Sequence, residues 1–239
     1  MAGLWIAEDG SVSRAEMREM LMARQIPLEG FTAERATLFT GEEAGEAFLR
    51  RAAMALLRPG APLPMAGLAR CLAGRDALAG NVLRKYVCLQ LSLLPYLRVN
   101  GKVTEQEGCF LLGDGLLVAP LGEDGRVNAL LPPGVWTELA TGEVFEGRLM
   151  CLRGLNAMPV LAGENALLPI GVNNRAADAD DADRVTLHWY EPRGEASCAL
   201  ADGTAYRVWQ ERNTFRGESG TDKPWHLIVH QGGQERLIR

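Results

Sequence analysis

The sequence predicts an α+β protein that is mainly β, with an N-terminal helical segment followed by an antiparallel β-sandwich and a short distal β-domain. The first hundred residues carry helix-start signals and apolar residues at helical spacing. After about Cys109, short apolar runs alternate with Gly, Pro, Asp and Asn. A segment rich in aspartate precedes the last strands and is interpreted as a linker. The expected parts are residues 1–100, 101–172, 173–183 and 184–239.

Three helices are predicted in the N-terminal segment. The first two start at capping boxes, at residues 13–16 and 40–43, where a Ser or Thr hydroxyl and a Glu three residues later satisfy free backbone amides. The third begins near Asp76, and Pro95 is expected to bend or end it. The apolar residues of this third helix share one face: Leu78, Val82, Tyr86, Leu89 and Leu93.

The remaining chain is expected to form short strands, because its apolar runs end at turn residues. Gly113 and Gly115 flank Asp114 in a turn where positive φ is expected. Frequent turns between short strands are typical of an antiparallel sandwich. The predicted strands are residues 116–119, 127–131, 135–139, 144–146, 167–170, 185–190, 196–200, 206–210 and 225–230.

Composition and charge exclude several classes of protein. A net charge of −5 and a pI near 5.4 argue against nucleic-acid binding, which needs a clustered cationic surface. No run of about 18 apolar residues is present, so no membrane span is expected. The first residues lack a basic region, and the five cysteines form no C-x-x-C pair. We therefore expect reduced thiols and a cytoplasmic protein of bacterial type.

Three groups of motifs occur in order over roughly residues 81–210. They are R-K-Y-V with L-L-P-Y-L (84–87 and 93–97), L-G-D-G-L-L-V-A-P with L-P-P-G-V-W and T-G-E-V-F-E-G (112–120, 131–136 and 141–147), and A-D-G-T-A-Y (201–206). Together they resemble glycoside hydrolase family 31, the family of α-glucosidases and α-xylosidases. The resemblance implies that residues 1–100 are a helical remnant of a (β/α)8 barrel, followed by the proximal and distal β-domains.

The resemblance also bears on catalysis. Retaining glycosidases need two carboxyl groups about 5–5.5 Å apart, one of which is the nucleophile. In the family, the nucleophile lies on the fourth barrel strand, which is expected to precede Met1, so the nucleophile is predicted to be absent. Residues 5–11 resemble the acid/base motif and place Glu8 at the acid's position, while Arg58 takes a substrate-binding position. Pro27 and Gly60 replace a sugar-contacting Asp and His of the family pattern.

We interpret the chain as a non-catalytic protein or fragment related to family 31 α-glycosidases, with a carbohydrate-associated accessory role. The isolated chain is not expected to hydrolyse glycosides, and no cofactor or metal is predicted. One alternative is a part of a longer or split α-glycosidase that hydrolyses α-glucosides with retention. Another is an interaction module that binds a second copy or a partner chain through the barrel-derived helical face.

Three further clusters have a functional and a structural interpretation, and the structural one is favoured for each. His226 and His230 alternate on one strand and suit either a metal or an exposed strand face. The cluster of four aspartates is either a set of Ca²⁺ ligands or part of a solvated linker; its members are Asp178, Asp180, Asp181 and Asp183. The aromatic residues offer sugar-stacking faces or core side chains: Trp189, Tyr190, Tyr206 and Trp209.

Overall fold

A computed structural model describes residues 50, 53–54, 57–58, 77–122, 124–154, 157–171 and 180–238. The chain divides into two compact units, residues 1–90 and 91–239. In the first unit, residues 50, 53, 54 and 57 are helical, and Ala53 and Leu57 are buried. The first predicted helix lies outside the described residues, as does most of the second.

The helix α1 (Ala77–Asn100) begins within one residue of its predicted start. Pro95 lies inside the helix, so the expectation that it could end the helix is wrong. A proline in a helix interior costs about 3 kcal/mol. Burial of Leu93, Tyr96 and Leu97 around it offsets this cost. Within the described ranges, no helix is both long and apolar enough to cross a membrane.

The described residues of the second unit form thirteen strands. These are β1 (Val103–Gln106), β2 (Cys109–Leu112), β3 (Leu116–Val118), β4 (Arg126–Glu138), β5 (Val144–Leu152), β6 (Val160–Gly163), β7 (Leu167–Ile170), β8 (Thr186–Tyr190), β9 (Glu195–Ala199), β10 (Ala205–Glu211), β11 (Thr214–Ser219), β12 (His226–Gln231) and β13 (Gln234–Leu237). The predicted fold class, α+β and mainly β, is confirmed.

The strands form three sheets. The six-stranded sheet has the order β1-β2-β3-β6-β4-β5, the three-stranded sheet β11-β10-β9, and the four-stranded sheet β13-β12-β8-β7. Strand pairs are antiparallel except β8 and β12, which are parallel. The two smaller sheets share one core, whose fully buried members include Leu187, Trp189, Val208 and Leu227.

The strand β7 connects the two predicted β-domains. It was expected to close the proximal sandwich, but it pairs with β8 in the four-stranded sheet. Leu167 of this strand belongs to the core of the smaller sheets. The division at residue 172 stays a prediction. The turn at residues 180–183 also differs from a solvated linker, because Asp181 and Ala182 are buried.

Candidate functional site

The Tyr96 side chain fixes the end of α1 to the turn between β2 and β3. Its hydroxyl donates to the Leu112 carbonyl at 2.8 Å and accepts from the Gly115 amide at 3.0 Å. Burial raises the pKa of Tyr96 to about 12. The positive φ predicted for this turn is confirmed at Gly113, whose φ is 60° and where a Cβ would lie 2.8 Å from that of Asn100. These contacts join two of the sequence motifs.

A second turn, between β6 and β7, is fixed to the smaller sheets by Asn165. This residue has φ of 59°, which Asn tolerates better than most residues. Its Oδ1 accepts from Trp189 Nε1 and from the Arg193 amide, both at 2.9 Å. The neighbouring Glu164 forms an ion pair with Arg193. The carboxylate of Glu164 is therefore held at a defined place on the second unit.

The outer face of the three-stranded sheet is polar. Because side chains alternate along a strand, the residues that flank Tyr206 and Val208 point away from the core. In the central row, Arg207 of β10 lies between Ser197 of β9 and Glu218 of β11. The Arg207 guanidinium pairs with Glu195 at 2.6 Å and with Glu218 at 3.8 Å.

These three features border one open cleft with a volume of about 900 Å³, which falls in the range of known ligand pockets. Its walls come from the end of α1, the two turns, the start of β7 and one end of the three-stranded sheet, where residues of both faces line it. Its lining is mixed, with slightly more apolar than polar surface. The polar lining residues are Asn100, Asp114, Glu164, Asn165, Ser197, Arg207, Glu218 and Ser219.

Most charges in the cleft are compensated within it. Glu164 pairs with Arg193, and Glu218 pairs with Arg207. An anion would meet these carboxylates and a cation would meet Arg207, whereas a neutral hydroxylated molecule meets donors and acceptors without a charge conflict. The engagement of both glutamates by arginines suits binding better than proton transfer. The arrangement therefore fits a neutral, polar ligand.

Of the two site residues taken from the resemblance, the structure describes only Arg58. Glu8 lies outside the described residues, as do Pro27 and Gly60. Arg58 is described and half-buried, in a bend where its amide donates to the Met54 carbonyl at 3.0 Å. The roles of Glu8 and Arg58 stay predictions.

The histidines form a contact that the sequence did not indicate. His226 is exposed as expected, but the His230 side chain is only 13% exposed, so the interpretation of two exposed histidines is wrong for His230. Its Nε2 lies 2.9 Å from Nδ1 of His188, and its ring stacks on Tyr190 at 4.2 Å. Burial and the neighbouring His230 lower the pKa of His188 to about 4.

The aspartate cluster forms ion pairs in its described part. Buried Asp181 contacts Arg98 at 2.7 Å, and Asp180 pairs with Lys223. Asp178 lies outside the described residues. Among the residues that the structure describes, no group of three or more His, Cys, Asp or Glu side chains is placed to hold a metal ion.

Three of the four candidate stacking residues are core side chains. Trp189, Tyr190 and Tyr206 are each at most 2% exposed, as the favoured interpretation predicted. Trp209 differs, because it is half-buried on the outer face of the three-stranded sheet. The Arg207 guanidinium lies 5.7 Å from the centre of its ring.

Comparison with known proteins finds similarity within the second unit. Residues 96–168 match the model of the glycosyl hydrolase family 31 C-terminal domain. A curated relative, alpha-glucosidase 2 of Bacillus thermoamyloliquefaciens, is 28% identical over 128 residues, which are 52% of this chain and 15% of that protein.

Solved structures show the same fold. The cycloalternan-forming enzyme from Listeria monocytogenes, in complex with a pentasaccharide substrate, aligns with a TM-score of 0.66 and 20% identity over 80% of this chain and 23% of its own. A family 31 dextranase of Flavobacterium johnsoniae, complexed with glucose, aligns with a TM-score of 0.59 and 18% identity over 79% of this chain and 30% of its own. The chain thus spans less than a third of the length of these proteins. Residues 96–168 are thus similar to the C-terminal domain of glycosyl hydrolase family 31.

Proposed function

We propose that the chain is a non-catalytic, carbohydrate-associated relative of family 31 α-glycosidases, and that the cleft beside the three-stranded sheet holds the sugar. The observation that carries this proposal is the cleft of about 900 Å³, whose lining is mixed polar and apolar and largely charge-compensated. Sugar hydroxyls both donate and accept hydrogen bonds. The carboxylates, amides and guanidinium of the lining offer complementary groups of both kinds.

The class of ligand also has support from the relatives. The cycloalternan-forming enzyme was solved with a pentasaccharide substrate, and the dextranase with glucose. Both are similar to this chain over about four fifths of its length. An α-linked oligosaccharide is therefore the first ligand to test.

Titration of the purified full chain with maltopentaose and with isomaltotriose, followed by calorimetry, tests the binding. We expect saturable binding that Arg207→Ala weakens, because this arginine contributes donors to the cleft and holds Glu218 in place. Arg236→Ala is the matched control, since Arg236 is also exposed but lies on β13. The proposal fails if the chain binds neither sugar, or if the two variants bind alike.

The non-catalytic part of the proposal has a separate test. Double displacement needs a nucleophile and an acid/base group about 5–5.5 Å apart. Glu8 stands at the acid's position of the resemblance, and no nucleophile was assigned. We expect no hydrolysis of an aryl α-glucoside by the purified chain. Hydrolysis that Glu8→Gln abolishes would show that the chain is an enzyme.

A second candidate function is a part of a longer or split α-glycosidase. The match of residues 96–168 to the C-terminal domain of such enzymes favours it. Its test is an upstream reading frame that encodes the nucleophile strand, followed by co-expression of the two pieces and an assay on α-glucosides. Activity of the pair without activity of either piece would support a split enzyme. Association through the helical face of residues 1–100 is tested by light scattering, in which a monomer contradicts it.

We also propose a cytoplasmic location. The described cysteines Cys109, Cys151 and Cys198 are free thiols, as is usual in a reducing compartment. Fractionation of the producing cells tests this location, and recovery from the culture medium would contradict it.

A further inference from the structure

The cleft covers only part of the outer face of the three-stranded sheet. On this face, the row of Ser197, Arg207 and Glu218 is the part of the cleft lining nearest to Trp209. In the next row, Trp209 of β10 lies between Glu195 of β9 and Arg216 of β11. Two residues along a strand span about 7 Å, so the second row directly continues the first.

Trp209 is unusual among the described tryptophans. Trp136, Trp189 and Trp225 are each at most 5% exposed, whereas Trp209 is half-buried on an otherwise exposed and polar face. A large aromatic ring that remains accessible on such a face is typical of a recognition surface.

The neighbours of Trp209 hold polar groups around its ring. Arg207 pairs with Glu195, and Arg216 pairs with Glu211 at 3.1 Å. The Arg207 guanidinium lies over one face of the ring, 5.7 Å from its centre. An apolar platform is thus surrounded by hydrogen-bonding groups.

A sugar ring has the complementary chemistry. Its C–H bonds form apolar faces, and its hydroxyl groups project around the edge. A ring stacked on Trp209 would keep its hydroxyls within the polar surroundings, while a linked unit occupies the adjoining cleft. A ligand that is wholly apolar would leave the polar groups around the ring without partners. A flat or an anionic ligand would likewise use only one part of this surface, either the ring or the polar groups.

We infer that Trp209 and the cleft form one elongated binding surface, on which Trp209 stacks against one unit of a neutral oligosaccharide. The inference rests on the proposed function and adds to it a stacking residue and a preference for ligands longer than a monosaccharide.

Calorimetric titration of the full chain with glucose, maltose and maltopentaose tests this inference. We expect affinity to rise with length, and Trp209→Ala to weaken maltopentaose binding about tenfold, as the loss of one aromatic stack would. Trp209→Phe retains an aromatic ring and should restore part of the affinity. Leu237→Ala is the matched control, because it removes an apolar side chain that is 64% exposed on β13. Unchanged far-ultraviolet circular dichroism shows that each variant is folded.

The outcomes separate the inference from the proposed function. If maltopentaose binds and Arg207→Ala weakens it while Trp209→Ala does not, the cleft holds the sugar and the Trp209 platform is wrong. Equal affinity of the unaltered chain for glucose and maltopentaose also overturns the platform. If no sugar binds to the unaltered chain, the proposed function and this inference fail together.

Discussion

The two faces of strand β10 carry opposite kinds of side chain. On the inner face, Tyr206 and Val208 are at most 1% exposed and lie in the core that the two smaller sheets share. On the outer face, Arg207 is exposed and Trp209 is half-buried. Although Tyr206 also lines the cleft, the inner residues serve mainly stability and the outer residues mainly the proposed binding surface, so substitutions should separate the two roles.

The largest effect is expected from Trp189→Ala, which tests the inner side of the comparison. Trp189 is fully buried, donates to Asn165 and packs edge-on against Phe215 at 5.8 Å. Its loss leaves a cavity and removes one of the two hydrogen bonds that Asn165 Oδ1 accepts, and we expect the free energy of unfolding to fall by about 3–5 kcal/mol. Urea denaturation measures this change. A denaturation midpoint equal to that of Arg207→Ala would contradict the separation of the faces.

Acid should destabilise the protein through His188, which lies on the opposite side of β8 from Trp189. There, His188 is mostly buried and contacts His230; the ionisable groups around the pair are Tyr190 and Glu235. Because the folded pKa of His188 is about 4, below the unfolded value of 6.5, the unfolded chain binds the proton first. Stability is therefore full above pH 6.5 and falls by about 3 kcal/mol as the pH drops to 4.

Thermal unfolding between pH 7 and pH 4 checks this expectation. The pKa of His230 is also lowered by burial, which adds to the same trend. His188→Gln should reduce the pH dependence in this window, whereas His226→Gln, at an exposed position, should leave it unchanged. An equal pH dependence in the two variants would show that another group is responsible.

A smaller loss is expected from Tyr96→Phe. The hydroxyl bridges the Leu112 carbonyl and the Gly115 amide, and its removal breaks both hydrogen bonds. An unsatisfied buried group costs about 1–3 kcal/mol, so the free energy of unfolding should fall by that amount. Urea denaturation measures it, and an unchanged midpoint would mean that water replaces the hydroxyl.

Strands with local patterns were predictable from the sequence. The predicted strand at 206–210 lies within β10, and the alternation that identified it also separates its two faces. Strands β1, β11 and β13 were missed, because their mostly exposed and polar residues give little hydrophobic signal. The buried strands β2 and β6 were missed as well. The strand β4 was predicted as two strands. Its prolines and glycine, at residues 132–134, instead produce a register shift within one strand.

The candidate site depends on pairings between distant segments. Asn165 and Trp189 meet only because β7 pairs with β8, and His188 meets His230 only because β8 and β12 are parallel. Neither pairing leaves a local pattern. The sequence did identify Trp209 as a candidate stacking residue, but its open position follows from the sheet, since alternation alone does not say which face is covered.

The smallest effect, and the one of opposite sign, is expected from Tyr206→Phe. The Tyr206 hydroxyl is buried and has no hydrogen-bond partner among the residues that the structure describes, and burial raises its pKa to about 12. Removing an unsatisfied buried hydroxyl recovers its desolvation cost, so this variant should gain about 1 kcal/mol in the free energy of unfolding. Tyr96→Phe makes the same chemical change at a hydroxyl with two partners and should lose stability. Urea denaturation of both variants under one condition gives the comparison. A loss at Tyr206 would indicate that its hydroxyl has a water partner in solution, and the two positions would then differ in degree rather than in sign.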